Sequence, residues 1–337
     1  AMRCLQRIFC AKLIKFHHYN SDVNRQRILL CKDRGGYPMD LGGELDINFD
    51  NASGPLSDNL VVRPIGRVAG AELPGLDLRS PLAEENINFI LTALVKYHVL
   101  SFPDQDLTKD QQVLFTKQFG ELEGHVALDH NGKPFPAVHI VSNLDPDGQP
   151  TAKPRSHGNY FWHSDKSYHA TPSLATILYA KEIPPNGGAT QFANMQMAYD
   201  ELYPEMKQMI DGLEVVHHWA QSRRNSCNAP ATLEQERESP PVTHPIVRIH
   251  PETNRKSIYL GIHASHIAGM NWHKGREIIY RLTDMVTQPR FVYTHEWKTN
   301  ELVMWDNRSL MHRATGDFAQ DLHPRVLHRT VLRGAKP

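Results

Sequence analysis

The chain has no run of about 18 apolar residues, the length a membrane-spanning helix needs, and its text carries no visible secretory leader. Neither sign of charge is in excess: Lys and Arg number 37, and Asp and Glu number 37. That balance argues against a nucleic-acid binder and gives no reason to expect an anionic membrane as partner. Cysteine is scarce, with 4 in 337 residues, and Cys4, Cys10, Cys31 and Cys227 lack the paired spacing of a zinc site. They read as free thiols of a reducing, cytoplasmic compartment rather than as a disulfide framework. Internal repeats and low-complexity tracts are also missing. Histidine is the unusual count, 20 in all. Most of these are read as surface or polar-core residues, and only a few as chemically active.

Residues 1–57 look unlike the rest. The first 34 residues carry eight Lys and Arg against two Asp, and the stretch from Asp33 to Pro55 is rich in Gly, Asp and Asn without periodicity. Arg3, Arg7, Lys12 and Lys15 among apolar residues mimic a transit peptide. The reading adopted is a poorly ordered extension, with a folded domain over residues 58–337.

Within that domain Leu60–Val62 reads as the start of a strand. Ser80 and Pro81 signal a helix N-terminus ahead of Ile87, Ile90, Leu91, Leu94 and Val95 at helical spacing. Thr108 and Gln111 form a capping box, and Gly120 stops the helix behind it. Further strands are expected near 99–102, 174–179, 213–219, 246–250, 257–260, 291–297, 301–305 and 326–332, and helices near 194–210 and 275–286. Residues 220–241 read as a long polar loop of the kind that covers active sites. Strands dominate, with helices grouped toward the N-terminal half. The predicted class is mainly β with flanking helices, built on a double-stranded β-helix (jelly-roll) core.

Chemistry concentrates in Trp162-His163-Ser164-Asp165. His163 and Asp165 lie two apart, so on extended backbone both side chains point to one side and reach one ion. His312 lies far downstream and supplies a third ligand if the fold returns it. Two histidines and one carboxylate make the facial triad of a non-heme Fe(II) oxygenase, with coordination positions left open. The motif alone is weak, since about one His-x-Asp arises by chance in a chain of this composition. A decoy, His250-Pro251-Glu252, falls at an expected hairpin tip where solvated polar residues are the rule. Context strengthens the triad. Arg325 at the start of the last strand can clamp a carboxylate bidentately, Thr190 after the Gly187-Gly188 turn can donate to it, and Arg329 shares the face of Arg325. Two inward arginines would serve two anions, and an exposed basic strand edge is the rival account of the pair.

These residues bring a family into view. The chain resembles the taurine / 2,4-dichlorophenoxyacetate dioxygenases, the TauD/TfdA family of Fe(II)- and 2-oxoglutarate-dependent oxygenases. The resemblance runs from about Asn59 to Gly334. Trp162–Asp165, Pro185–Thr190, Thr243-His244-Pro245, Trp305–Arg308, His312 and Arg325–Arg329 carry it. It implies that His163, Asp165 and His312 bind iron, and that Thr190 and Arg325 hold the distal carboxylate of 2-oxoglutarate. It further implies O2 as the oxidant, Arg329, Asn159 and His125 as substrate-pocket residues, a small anionic organic substrate and a homo-oligomer. Leu128 stands where the taurine enzymes carry a tyrosine, and Arg255–Leu260, His266–Met270 and Val292–Lys298 look closer to the phenoxyacetate branch. An aryloxyalkanoate-like carboxylate is therefore the favoured substrate, with a sulfonate or alkyl sulfate as alternative. From the residues alone two other classes stay open: a zinc-dependent hydrolase using the same three ligands, and a non-catalytic jelly-roll binding protein.

Overall fold

Side chains along Leu302–Asp306 alternate between two cores, as the two-residue period of a strand requires. Leu302 and Met304 join a cluster with Ile90, Leu94 and Phe115, whereas Val303 and Trp305 join one with Leu178, Phe192, Leu310 and Leu327. The first core lies under helices Glu84–Tyr97 and Lys109–Lys117, and the second lies between two sheets. The computed structural model describes residues 60–123, 137–152, 158–226 and 228–337, and these fold mainly as β-sheet with helices.

The larger sheet runs in the order Arg63–Pro64, Ala71–Glu72, Val99–Phe102, Leu302–Asp306, Ser173–Glu182, Val326–Arg333 and His139–Ser142. A three-stranded sheet faces it, with Thr190–Asn194 at the centre between Val292–His295 and Leu310–Ala314. Behind this smaller sheet a third core gathers Ala193 and Met311 with Ile279 and Leu282 of helix Trp272–Val286. The inter-sheet space therefore receives alternate residues from both sides: Thr176 and Leu178, Leu327 and Arg329, Thr190 and Phe192, Leu310 and His312.

Several expected elements are shifted. Leu60–Val62 is not strand, and pairing starts at Arg63. The helix expected after Ser80 begins instead at Glu84: Ala83 is extended, at φ −63° and ψ 150°, and the Leu82 amide is tied to Gln118 Oε1 at 2.6 Å. The capping box of Thr108 and Gln111 forms. The helical stretch near 194–210 splits into Met195–Asp200 and Pro204–Ile210, with Pro204 opening the second. Residues 220–241 are not bare loop. They contain most of helix Trp219–Asn225 and all of Leu233–Glu238, the latter opened by a capping box of Thr232 and Gln235 that sequence reading overlooked. Nor do the helices gather in the N-terminal half: of the seven among the described residues, five start after residue 190.

Candidate active site

His163 and His312 pair as backbone partners before their side chains meet. His163 N–H donates to the His312 carbonyl at 3.0 Å, and His312 N–H returns the bond at 2.8 Å. This isolated bridge brings the motif strap to the edge of Leu310–Ala314 and sets the imidazoles 4.1 Å apart, centroid to centroid. Gly261 makes the approach feasible. It has φ +121°, and a β-carbon there would stand 3.0 Å from His163 Cα.

Asp165 closes the group. Its Oδ1 lies 3.8 Å from His163 Nε2, and its Oδ2 lies 3.9 Å from His312 Nε2. One ligating atom from each of the three residues falls within 4.8 Å of the others, and all three side chains are buried. No other such group occurs among the described residues. The orientation of each ligand has a visible cause. His163 Nδ1 meets the Phe161 carbonyl at 2.7 Å, so this nitrogen carries the proton and Nε2 keeps its lone pair. Thr176 donates to Asp165 Oδ2 at 2.6 Å, and Asn307 Nδ2 donates to Thr176 Oγ1 at 2.9 Å. His312 Nδ1, by contrast, finds no acceptor among the described residues. Burial, helped by the neighbouring His163, pushes His312 down to about 3, which leaves a neutral imidazole able to ligate. Burial alone would raise the Asp165 carboxyl. Arg329, His312, His163 and the Thr176 hydroxyl outweigh it and hold the group well below the usual carboxylate range. Two imidazole nitrogens and one carboxylate aimed at a common point fit a divalent metal ion.

Arg325 occupies a second buried position. It is 8% exposed, and its backbone N–H donates to Asn143 Oδ1 at 2.7 Å. Nε donates to the Gly188 carbonyl at 2.8 Å, and Nη2 reaches Thr190 Oγ1 at 3.3 Å. Gly187 and Gly188, at φ +74° and +72°, form the turn that presents this carbonyl. A β-carbon on Gly187 would meet the Asp317 backbone oxygen at 2.4 Å, and Asp317 Oδ1 accepts from Gly188 N–H at 2.9 Å. Burial pulls the guanidinium down to about 10, still cationic at neutral pH.

Arg329 sits nearer the triad, with Nη1 3.6 Å from Asp165 Oδ1. Its buried Nε has no acceptor among the described residues. Asn159 is half-buried on the short 3-10 turn Gly158–Tyr160, four residues before His163. His125 lies outside the described residues, as do Leu128, the four cysteines and the extension through residue 57. The decoy is corrected in one respect. His250 is not solvated but 2% exposed, with Nε2 3.0 Å from Asp306 Oδ2 and Nδ1 3.2 Å from Glu252 Oε2. Arg308 binds both carboxylates, at 2.7 Å to each. This ion network braces the turn leading into the His312 strand. Sequence reading missed it because the partners lie 56 positions apart. It also missed Thr176, Asn143 and Trp297: Thr176 and Trp297 fell within expected strands that gave them no special mark, and no local pattern singles out Asn143.

A buried set of two histidines and one carboxylate is the donor set of a non-heme Fe(II) oxygenase. Comparison with known proteins agrees. The model of the "Taurine catabolism dioxygenase TauD, TfdA family" matches residues 61–331. The chain is 33% identical over 263 residues to the alpha-ketoglutarate-dependent 2,4-dichlorophenoxyacetate dioxygenase of Cupriavidus pinatubonensis, covering 76% of this chain and 92% of that protein. It is 29% identical over 298 residues to the alpha-ketoglutarate-dependent sulfate ester dioxygenase of Pseudomonas putida, covering 85% and 93%. Among solved structures, that of AAD-2 in complex with Mn(II) and N-oxalylglycine superposes with a TM-score of 0.74 at 39% identity, covering 82% of this chain and 99% of that one. The chain belongs to the TauD/TfdA family, on the side of the 2,4-dichlorophenoxyacetate enzymes. It is a 2-oxoglutarate-dependent dioxygenase, an enzyme class that uses Fe(II), 2-oxoglutarate and O2.

Proposed function

We propose that residues 58–337 form a double-stranded β-helix (jelly-roll) domain that hydroxylates a small organic anion, with an aryloxyalkanoate-like carboxylate as the favoured substrate. In this reading His163, Asp165 and His312 hold Fe(II), and Thr190 and Arg325 hold the distal carboxylate of 2-oxoglutarate. Arg329, Asn159 and His125 are assigned to substrate binding. Residues 1–57 are assigned to an N-terminal extension.

One observation carries the reading: a deeply buried arginine bonds to a threonine hydroxyl on the strand that pairs with the His312 strand, and His312 belongs to the three convergent ligands. A zinc hydrolase would use the ligands but has no role for that pair, and a non-catalytic binding protein has no role for the triad. When bound, Fe(II) supplies the chemistry that couples O2 to the decarboxylation of 2-oxoglutarate and the oxidation of a C–H bond. The chain's own residues orient and enclose. Arg325 and Thr190 fix one end of the cosubstrate. Arg329, whose Nε has no acceptor among the described residues, supplies the positive charge for an anionic substrate. Trp305 and Phe192 pack on the His312 ring at 4.7 and 6.2 Å, excluding water from that side. Where the hydroxylated carbon bears an ether oxygen or sulfur, the product collapses and that bond breaks.

Succinate release across aryloxyalkanoates, alkyl sulfates, sulfonates and N-acyl amino acids tests the substrate assignment. Aryloxyalkanoates are expected to drive it. Release with sulfates or sulfonates alone would transfer the assignment to the second reading, which the likeness to the Pseudomonas putida sulfate ester dioxygenase supports. Turnover without oxygen would instead favour the hydrolase.

A further inference from the structure

We propose that Trp297 is a positioning residue for the cosubstrate: its indole N–H fixes the Thr190 hydroxyl as a donor toward the distal carboxylate of 2-oxoglutarate. The proposal rests on the assignment of Thr190 and Arg325 made above.

The geometry is specific. Trp297 Nε1 donates to Thr190 Oγ1 at 3.0 Å, and Arg325 Nη2 approaches the same oxygen at 3.3 Å. An indole nitrogen and a guanidinium are donors only, whereas a hydroxyl has two lone pairs and one hydrogen. With both lone pairs engaged, the oxygen has none left to aim at an anion, and its hydrogen alone remains to be given. Without Trp297 the hydroxyl would be free to rotate and point a lone pair at the carboxylate, a repulsive contact. Register explains how the two residues meet. Val292–His295 pairs antiparallel with Thr190–Asn194, and His295 stands opposite Thr190. Trp297, two residues beyond, reaches Thr190 along the diagonal.

The indole is itself held in place. Its edge meets the His295 ring at 5.0 Å and 86°. Tyr293 Oη bonds to His295 Nδ1 at 2.9 Å, and Glu301 Oε2 bonds to Nε2 at 3.0 Å. Trp297 is 7% exposed and also packs in the inter-sheet core with Leu178 and Phe192. The rival account is therefore packing alone, and the test must separate a lost N–H from a lost ring.

Trp297→Phe keeps an aromatic ring and removes the donor. Binding is measured by calorimetry on the Mn(II)-loaded full chain, with 2-oxoglutarate and with 2-oxobutyrate, which shares the keto-acid head but lacks the distal carboxylate. The variant is expected to weaken 2-oxoglutarate about three- to tenfold, the worth of one net hydrogen bond, and to leave 2-oxobutyrate unchanged. Placed on Thr190→Val, it is expected to add nothing, since the hydroxyl it acts through is gone. Equal loss for both acids, or an undiminished effect in the Thr190→Val background, would overturn the role of Trp297. So would a neutral Trp297→Phe beside a damaging Thr190→Val. A neutral Thr190→Val would instead remove the cosubstrate assignment beneath it, and the proposal with it.

Discussion

Arg325→Ala probes the cosubstrate site most directly. In the native chain Nε is committed to the Gly188 carbonyl at 2.8 Å, and Nη2 leans on Thr190 Oγ1 at 3.3 Å. The remaining N–H groups of the two terminal nitrogens are left for a carboxylate, and the guanidinium is pre-set before the ligand arrives. Truncation removes this partner and leaves the cosubstrate carboxylate buried and unpaired. Breaking a buried charge pair in this way costs about 3–5 kcal/mol, or roughly two to three and a half decades of affinity. Calorimetry of 2-oxoglutarate binding to the Mn(II)-loaded protein reads the loss directly. Arg325→Lys should fall between, because an ammonium keeps the charge but not the fork that holds Gly188 and the ligand together. The pH dependence has a definite sign. Burial pulls Arg325 down to about 10 even with Tyr160 and Asp317 nearby, so affinity should decline as pH rises through that value. Native affinity in Arg325→Ala would refute the assignment.

Thr176→Val removes the 2.6 Å hydrogen bond to Asp165 Oδ2 and should weaken Mn(II) binding about 10–100-fold by titration calorimetry; unchanged binding would mean that Thr176 does not orient the ligand. Arg329→Ala should raise KM for the anionic substrate while sparing 2-oxoglutarate affinity, and the reverse pattern would exchange the roles of the two arginines. Asp306→Asn should destabilise the fold by about 3–5 kcal/mol in urea at neutral pH, by uncoupling the buried His250 and Arg308. Burial would raise the Asp306 carboxyl, but the bonds from His250 and Arg308 hold it well below its ordinary value. A depressed value stabilises above the unfolded pKa of about 3.9 and is lost as pH falls toward the folded one. The gap between native and variant should therefore narrow below about pH 4, and a gap that stayed constant through acid would rule out this coupling.

Residue type and spacing by themselves determined the candidate ligands, the pair Thr190 and Arg325, and most strands. A two-residue period and a His-x-Asp on extended backbone are local facts, and local facts survive in a one-dimensional text. The same text misled where contacts were distant. His250 read as a solvated hairpin residue because Asp306, which bonds to its ring, lies 56 positions away. Helix Leu233–Glu238 was missed for a different reason: its capping box was legible, but the polar text around it read as loop. Only the tertiary structure decided which distant groups orient the site: Thr176 and Asn307 for Asp165, and Trp297 beside the Thr190 hydroxyl. Such partners are chosen by strand register across two sheets, and no period within a single segment carries that information.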